Sequence, residues 1–276
     1  MLLPAMRRLN AKETRETLRR HGLDRAQAPA FAFRDSARQT FYDWHAHPNH
    51  QLLFALEGPT QIETEQARYL LPVGRAAWIP AGVRHRTLIT DSDGTSLFFA
   101  RRAVPDTAQR VRILAADPLM REMVVHAMRW PAGTKDPVAA SFLRTLALLC
   151  SQWLESELPL SLPGAKHPAL ARAMDDALAH LSRATQDRAL KAAGMSERSF
   201  RRAFLSETGM TWQAWLTQAR ILNAMSLLAE GRRVTDVAAM VGYRSMSAFA
   251  KSFLQLTGEA PVAYRRRATL AATESN

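Results

Sequence analysis

Apolar residues recur every three or four positions through the last hundred residues, and this spacing predicts helices. Phe200 and Phe204 lie one helical turn apart, and Phe249 and Phe253 repeat the pair 49 positions later. Residues four apart share one helical face, so each pair can pack against a neighbouring helix. The pattern therefore indicates a duplicated unit, with one copy at 187–212 and the other at 234–267.

Each copy is typical of a helix-turn-helix. In the second copy a short helix over 235–241 is followed by a turn at Gly242 and a longer helix over about 246–257. Gly258 then ends that helix, and Pro261 is expected to prevent its continuation. Gly194 marks the corresponding turn of the first copy. In such motifs the second helix enters the major groove of DNA.

The outward faces of the two longer helices carry the candidate DNA contacts. Arginine reads guanine and also clamps phosphates, so arginines at the start of a helix suit this task. A solvated charged face is the alternative, and the duplication favours DNA contact. We expect the first copy to read bases more strongly and the second to contact mainly phosphates. The candidates are Arg198, Ser199, Arg201 and Arg202 in the first copy, and Arg244, Ser247 and Lys251 in the second.

The segment between the copies has its own helical period. Trp212, Trp215, Leu222 and Met225 are among the apolar residues at three- and four-residue steps. A helix from 212 to 228 would be about 25 Å long. This length is compatible with presenting both reading helices to one face of a duplex, about one turn apart.

Residues 31–103 have a different pattern, with seven strand-sized segments separated by turn residues. Several of them alternate apolar and polar residues, which favours a small β-barrel or jelly roll. The helical period returns after residue 103. These later helices must bury their apolar stripes against the barrel, against each other or across a two-fold axis.

The fold class predicted is α+β in two domains: a barrel and an all-α domain with two helix-turn-helix motifs. The boundaries expected are 1–27 for a basic, flexible extension and 28–103 for the barrel. A helical region over 104–158, which could mediate dimerisation, precedes a linker at 159–167. The DNA-binding domain covers 168–267, and 268–276 is expected to be a flexible tail.

Composition narrows the class of protein. The net charge is +12, and residues 168–267 hold 15 basic against 8 acidic side chains, as a phosphate-binding surface requires. A single cysteine, Cys150, excludes an internal disulfide, and its apolar surroundings indicate core. No segment has the length of a membrane span or the pattern of a secretory signal, so the chain is expected to be cytoplasmic, without a membrane partner.

The duplicated region resembles the DNA-binding domain of AraC/XylS-type transcriptional regulators. The matching residues are SERSFRRAF and SETGM in the first copy, Arg220 in the spacer, and VTDVAAMVGY and PVAYR in the second. The resemblance covers about a hundred residues. It implies two helix-turn-helix units joined by a rigid helix, with double-stranded DNA as the partner and a homodimer as the expected assembly.

The strand region resembles a cupin. His45, His47, Gln51 and Gly58 follow the spacing of the first cupin motif, with Gln in place of the usual Glu, and a segment from Gly74 to His85 follows the second. The resemblance implies a barrel that binds a small-molecule effector. The pocket residues expected are Trp44, His45, His47, Gln51 and His85.

Three imidazoles with an amide oxygen also suit a divalent transition metal. The predicted ligands are His45, His47, Gln51 and His85, with a set that only binds an effector or fills the barrel as the alternative. We expect a bacterial-type, ligand-responsive transcription regulator, an activator or a repressor, that is not an enzyme. The competing hypothesis is a metal-dependent cupin enzyme with a tethered DNA-binding domain. Gln51 argues against it, because it removes the carboxylate that helps hold Fe(II). A purely architectural DNA binder is the third hypothesis.

Overall fold

The computed structural model describes residues 7–25, 29–35, 40–56, 60–89, 94–158 and 160–273. The chain divides into two compact units. The first holds the described residues of 1–64 and 69–159, and the second holds 65–68 and 160–273. No helix in the described part of the chain is long and apolar enough to cross a bilayer. Gly58 lies outside the described residues.

The first unit is built from two sheets and three helices. One sheet has the order β1-β3-β8-β5-β6 and the other β11-β10-β7-β4-β9-β2. The strands are β1 Arg7–Leu9, β2 Ala30–Asp35, β3 Thr40–His45, β4 His50–Phe54, β5 Thr60–Thr64, β6 Ala67–Leu71, β7 Ala76–Ile79, β8 His85–Ile89, β9 Gly94–Phe99, β10 Arg112–Leu114 and β11 Glu157–Leu158. The helices are α1 Ala11–Arg20, α2 Pro118–Ala127 and α3 Pro137–Trp153.

The alternation along β4 and β9 gives the second sheet two different faces. Leu52 and Phe54, with Leu97 and Phe99, pack against α2 and α3 in the main core of this unit. The residues between them line the interior cavity instead, because successive side chains of a strand point to opposite faces. The helices over 118–153 therefore bury their apolar stripes on the barrel. Cys150 lies in this core, and burial raises the pKa of its thiol.

Several boundaries differ from the sequence expectation. Residues 60–71 are one of the seven strand-sized segments predicted from the sequence, but they form the β5–β6 hairpin, because the polar pair Glu65–Gln66 supplies a turn within an otherwise strand-like run. Two short strands, β10 and β11, lie in the region expected to be helical, where β10 pairs with β7.

Residues 7–25 are ordered in the first unit rather than a flexible extension. β1 pairs in parallel with β3. Helix α1 begins with a capping box, in which Asn10 accepts from the Glu13 backbone and Glu13 accepts from the Asn10 backbone. Leu18 is buried with Phe31 and Phe98. The many basic residues of this segment suggested a flexible extension. They lie only on the outer face of the helix and leave its inner face free to pack. Residues 1–6, 26 and 27 lie outside the described residues.

The second unit is helical. Its elements are α4 Pro168–Ala179, a 3-10 turn Leu181–Arg183, α5 Gln186–Ala193, α6 Glu197–Thr208, α7 Trp212–Ala229, α8 Val234–Met240, α9 Met246–Thr257 and α10 Pro261–Thr273. Pro261 starts α10 instead of only ending the preceding motif, since proline fits the first turn of a helix. The backbone of α10 continues to 273, so 268–273 are not an irregular tail, and 274–276 lie outside the described residues.

The segment 160–167 packs within the second unit. Leu160 is fully buried, Trp215 Nε1 donates to the Pro163 carbonyl (2.9 Å), and Gln218 Nε2 donates to the Ser161 carbonyl. The backbone N–H groups of Lys166 and His167 donate to Glu207 at 2.6 and 3.1 Å. We call residues 160–167 the strap. Pro159 lies outside the described residues.

Candidate functional site

The first helix-turn-helix consists of α5 and α6. Gly194 ends α5 with a φ of 65°, in the left-handed region that favours glycine, and Ser196 caps α6 by accepting from the Ser199 backbone (3.3 Å). Phe200 and Phe204 are fully buried against Trp212 and Trp215 of α7. Burial of this face fixes which side of α6 faces solvent.

The opposite side of α6 carries the predicted basic residues. Arg198, Arg201 and Arg202 are all exposed. Arg201 makes a long contact with Glu197 (3.5 Å), and both side chains are more than half exposed, so water weakens this pair. Ser199 is half-buried, and its hydroxyl accepts from Ser196. The helix start therefore presents three cations around a satisfied cap.

The second copy, α8 and α9, has the same plan. Phe249 and Phe253 are fully buried, and Ser245 caps α9 by accepting from the Ala248 backbone (3.4 Å). The exposed face carries Arg244, Ser247 and Lys251. This surface is less basic than that of α6, and it also exposes apolar side chains at Met246 and Leu254.

Arg220 connects the two copies, a role that the sequence did not reveal. From α7 its guanidinium donates to the carbonyls of Leu181 (3.3 Å) and Ala184 (3.0 Å), just before α5, and it lies over the Tyr243 ring of the second turn. Burial lowers its pKa. One half-buried side chain on the connecting helix thus contacts the segment before the first helix-turn-helix motif and the turn before the second helix of the other.

The barrel cavity gathers four of the predicted pocket residues. The His45 and His85 rings are 4.2 Å apart between centroids, and the His47 and His85 rings are 5.2 Å apart. His47 Nε2 lies 3.0 Å from the Gln51 side-chain oxygen, and Gln51 Nε2 donates to the Ser96 hydroxyl (2.9 Å). The β3–β8 pairing places His45 opposite His85, and β4 brings in Gln51 from the other sheet.

The three imidazoles are held by backbone carbonyls. The Nδ1 atoms of His45, His47 and His85 lie 2.7, 2.7 and 2.9 Å from the carbonyl oxygens of Asp43, Asn49 and Val83. Loss of hydration on burial lowers all three pKa values, to about 4 for His45. The cluster is therefore neutral at neutral pH, and His85 Nε2 is buried without a hydrogen-bond partner in the described structure.

The arrangement does not fit a metal centre. Imidazole nitrogens and oxygens bind zinc at about 2.0–2.2 Å. Among the described residues, no group of three or more His, Cys, Asp or Glu side chains is placed to hold a metal ion. The four predicted ligands line one cavity, but in the described residues their donor atoms are not placed as a ligand set.

The cavity itself is small, about 40 Å³, and its lining is mainly apolar, with Leu18, Leu23, Phe33 and Phe98 among the lining residues. Leu18 and His45 also line an outer pocket of about 370 Å³. Trp44 belongs to this outer pocket and not to the cavity, with the guanidinium groups of Arg84 and Arg86 each 5.0 Å from its ring. His45 lines both the cavity and the outer pocket, whereas Trp44 lines only the outer pocket.

Comparison with known proteins gives the two units separate matches. Residues 29–112 match the family described as "AraC-like ligand binding domain", and residues 189–267 match "Helix-turn-helix domain". The chain is 28% identical over 234 residues to the HTH-type transcriptional regulator NimR of Escherichia coli strain K12, covering 84% of this chain and 85% of that protein.

Two further proteins resemble the second unit alone. The HTH-type transcriptional activator RhaR of Pectobacterium atrosepticum is 40% identical over 73 residues, 26% of each chain. The solved structure of the DNA-binding domain of AdpA in complex with a target DNA is 36% identical to this chain, with a TM-score of 0.35. The match covers 36% of this chain and 91% of the AdpA chain. With an AraC-like ligand-binding domain followed by an AraC-type helix-turn-helix domain, this chain belongs to the AraC family of transcriptional regulators.

Proposed function

We propose that this regulator binds a specific DNA sequence through both helix-turn-helix units, and that a small molecule in the barrel cavity changes this binding. The observation that carries the DNA-binding half is the orientation of α6. Its phenylalanines are buried on α7, so Arg198, Arg201 and Arg202 face solvent together. Exposed arginines at a helix start suit the major groove.

We propose different DNA contacts for the two helix-turn-helix copies. Arg198, Arg201 and Arg202, with Ser199, contact base edges or the adjoining backbone from α6. Arg244, Ser247 and Lys251 contact mainly phosphates from α9, whose surface is less basic. Arg220 fixes the position of one helix-turn-helix copy relative to the other, because its guanidinium contacts segments that belong to both copies.

The effector half rests on the cavity. His45, His47, Gln51 and His85 line it, and the buried His85 Nε2 supports a ligand that would satisfy this atom. Trp44 lies in the outer pocket, which suits a path of entry. An effector can alter DNA binding only to the extent that it binds two states of the protein with different affinity.

We further propose a non-enzymatic, cytoplasmic protein that acts as a homodimer. The neutral Gln51 and the lack of a converged ligand set among the described residues argue against a metal-dependent oxygenase. Val138 and Leu148 on α3 are about two-thirds exposed, and they support a dimer contact on this helix. Sedimentation of the protein and of Leu148→Glu tests this contact; an unchanged oligomeric state would remove α3 from the interface.

The DNA-binding test compares specific and random duplexes. The target is selected from the intergenic region beside the gene by footprinting, and affinity is measured by fluorescence anisotropy over a range of salt. We expect the target to bind at least about a thousandfold more tightly than random DNA. Equal affinity for both would support an architectural binder instead.

A further inference from the structure

The barrel cavity contains an acceptor atom that nothing in the described structure satisfies. His85 is fully buried, and its Nδ1 lies 2.9 Å from the Val83 carbonyl oxygen, which can only accept a hydrogen bond. The proton of the neutral imidazole is therefore on Nδ1, and Nε2 has a free lone pair. This Nε2 has no partner among the described residues. A buried polar atom left unpaired is costly, so a ligand that donates to it would gain affinity.

Two other polar side chains that line the cavity, His47 and Gln51, contact each other and further polar groups. His47 contacts the Asn49 carbonyl through Nδ1 and Gln51 through Nε2. Gln51 in turn donates to the Ser96 hydroxyl. Neutral His47 has a single N–H, which goes to the Asn49 carbonyl, so the Gln51 amide must turn an N–H towards His47 Nε2 for this pair to be satisfied.

The lining of the cavity disfavours charged ligands. None of the described side chains around the cavity is a carboxylate, so a buried cation would lack a counter-ion. An anion would face the lone pair of His85 Nε2, and none of the described side chains around the cavity is a lysine or arginine that could balance its charge. Most of the remaining lining is aliphatic or aromatic, from Leu18 and Leu53 to Phe98.

Leu18 determines how much space a ligand finds. The cavity measures about 40 Å³, enough for a few water molecules but less than the roughly 150 Å³ in which a buried aromatic ring can bind. Leu18 lines both this cavity and the outer pocket. A ligand with an apolar body would thus take the place of the Leu18 side chain.

We propose that the cavity binds an uncharged molecule with a compact apolar body and one hydroxyl or N–H group, which donates to His85 Nε2. This ligand class deepens the proposed effector role and rests on it. It differs from a carboxylate, whose charge the described lining does not balance, and from a metal ion, for which the described residues place no ligand set.

The test uses the full chain and two probes of equal shape. Phenol has the donor, and toluene replaces the hydroxyl by a methyl group. Both are titrated by calorimetry into Leu18→Ala, which enlarges the cavity, and into Leu18→Ala/His85→Leu, which removes the acceptor. We expect phenol to bind Leu18→Ala, and the phenol-to-toluene affinity ratio to fall about tenfold on His85→Leu.

Control titrations separate the hydrogen bond to His85 from the effects of cavity shape and ligand charge. Leu18→Ala/His85→Gln keeps an acceptor and should retain part of the ratio, which also covers the case that the His85→Leu protein does not fold. Benzoate, benzylammonium and zinc are titrated in parallel. A ratio that His85→Leu leaves unchanged, no phenol binding to Leu18→Ala, or a charged probe that binds more tightly than phenol would each overturn the proposal.

DNA binding is measured without probes on the unaltered protein and on the same variants. Absence of sequence-specific binding by the unaltered protein, with the phenol result intact, would overturn the proposed function and leave the ligand class standing. Intact DNA binding with an unchanged phenol-to-toluene ratio would overturn the ligand class alone.

Discussion

Gly242 lies so close to Leu181 that a Cβ on this glycine would be 2.9 Å from the Leu181 carbonyl oxygen. The same Cβ would lie 3.1 Å from the Ser182 Cα and 3.0 Å from the Arg220 guanidinium. The turn of the second helix-turn-helix therefore packs directly against the backbone that leads into the first. Glycine is needed here for a close approach as well as for its φ of 89°.

The two turn glycines should consequently differ in their tolerance of substitution. Gly194→Ala should cost about 1–2 kcal/mol, because alanine disfavours the left-handed backbone at this position. No steric cost is expected in addition, since nothing lies within 4 Å of the new Cβ. Gly242→Ala should add about 1–3 kcal/mol of overpacking. Hydrogen exchange of α8 and α9 measures the difference. Equal losses of protection in the two variants would mean that the backbone contact relaxes freely.

The asymmetry between the reading helices gives a second prediction. Arg198→Ala and Arg201→Ala should each lower affinity for the target by about 1–3 kcal/mol and relax its sequence preference. Lys251→Ala and Arg244→Ala should weaken binding to all duplexes alike and reduce the salt dependence. Anisotropy titrations against the target and against single-base variants distinguish the two classes. Uniform losses from Arg198→Ala would reassign α6 to phosphate contact.

The sequence predicted the repeated motifs well because their signals are local. In each copy the Phe pair and the turn glycine lie within a few helical turns of each other, so spacing alone places them. Long-range relations were not predictable in this way. The approach of Gly242 to Leu181 and the contacts of Arg220 join residues that are 23 to 61 positions apart, and the sequence does not say which segments meet.

Local spacing also predicts only part of the barrel site. The cupin resemblance brought together His45, His47, Gln51 and His85, which do line the same cavity, although β3 ends at His45 and His47 lies in the loop before β4. Whether they converge on a metal depends on how each ring is oriented. Hydrogen bonds to separate backbone carbonyls decide that orientation, and those carbonyls have no side-chain signal.

The neutral histidines predict a loss of stability in acid. Burial lowers the pKa of His45 from 6.5 to about 4, so the unfolded state binds the proton more readily than the folded state. The contribution of His45 is therefore complete above about pH 6.5 and is lost as the pH falls from there towards 4. Melting temperatures across this range should fall less steeply for His45→Gln. Parallel curves for the two proteins would show that His45 is accessible to protons in the fold.

The strap gives the last prediction, because it joins the start of α4 to the end of the first reading helix. Glu207, in the last turn of α6, accepts from the backbone N–H groups of Lys166 and His167. These N–H groups precede α4 and have no partner within that helix, so Glu207 acts as a cap supplied from elsewhere in the unit.

Glu207→Ala should cost about 1 kcal/mol, as the loss of a helix cap does. Glu207→Gln keeps an acceptor oxygen and serves as the matched control. Hydrogen exchange at Lys166 and His167 should rise in the first variant and much less in the second. Affinity for the target should follow the same order, because α6 loses an anchor at its carboxyl end. If exchange rises in Glu207→Ala while affinity stays unchanged, the strap stabilises the unit without positioning the reading helix.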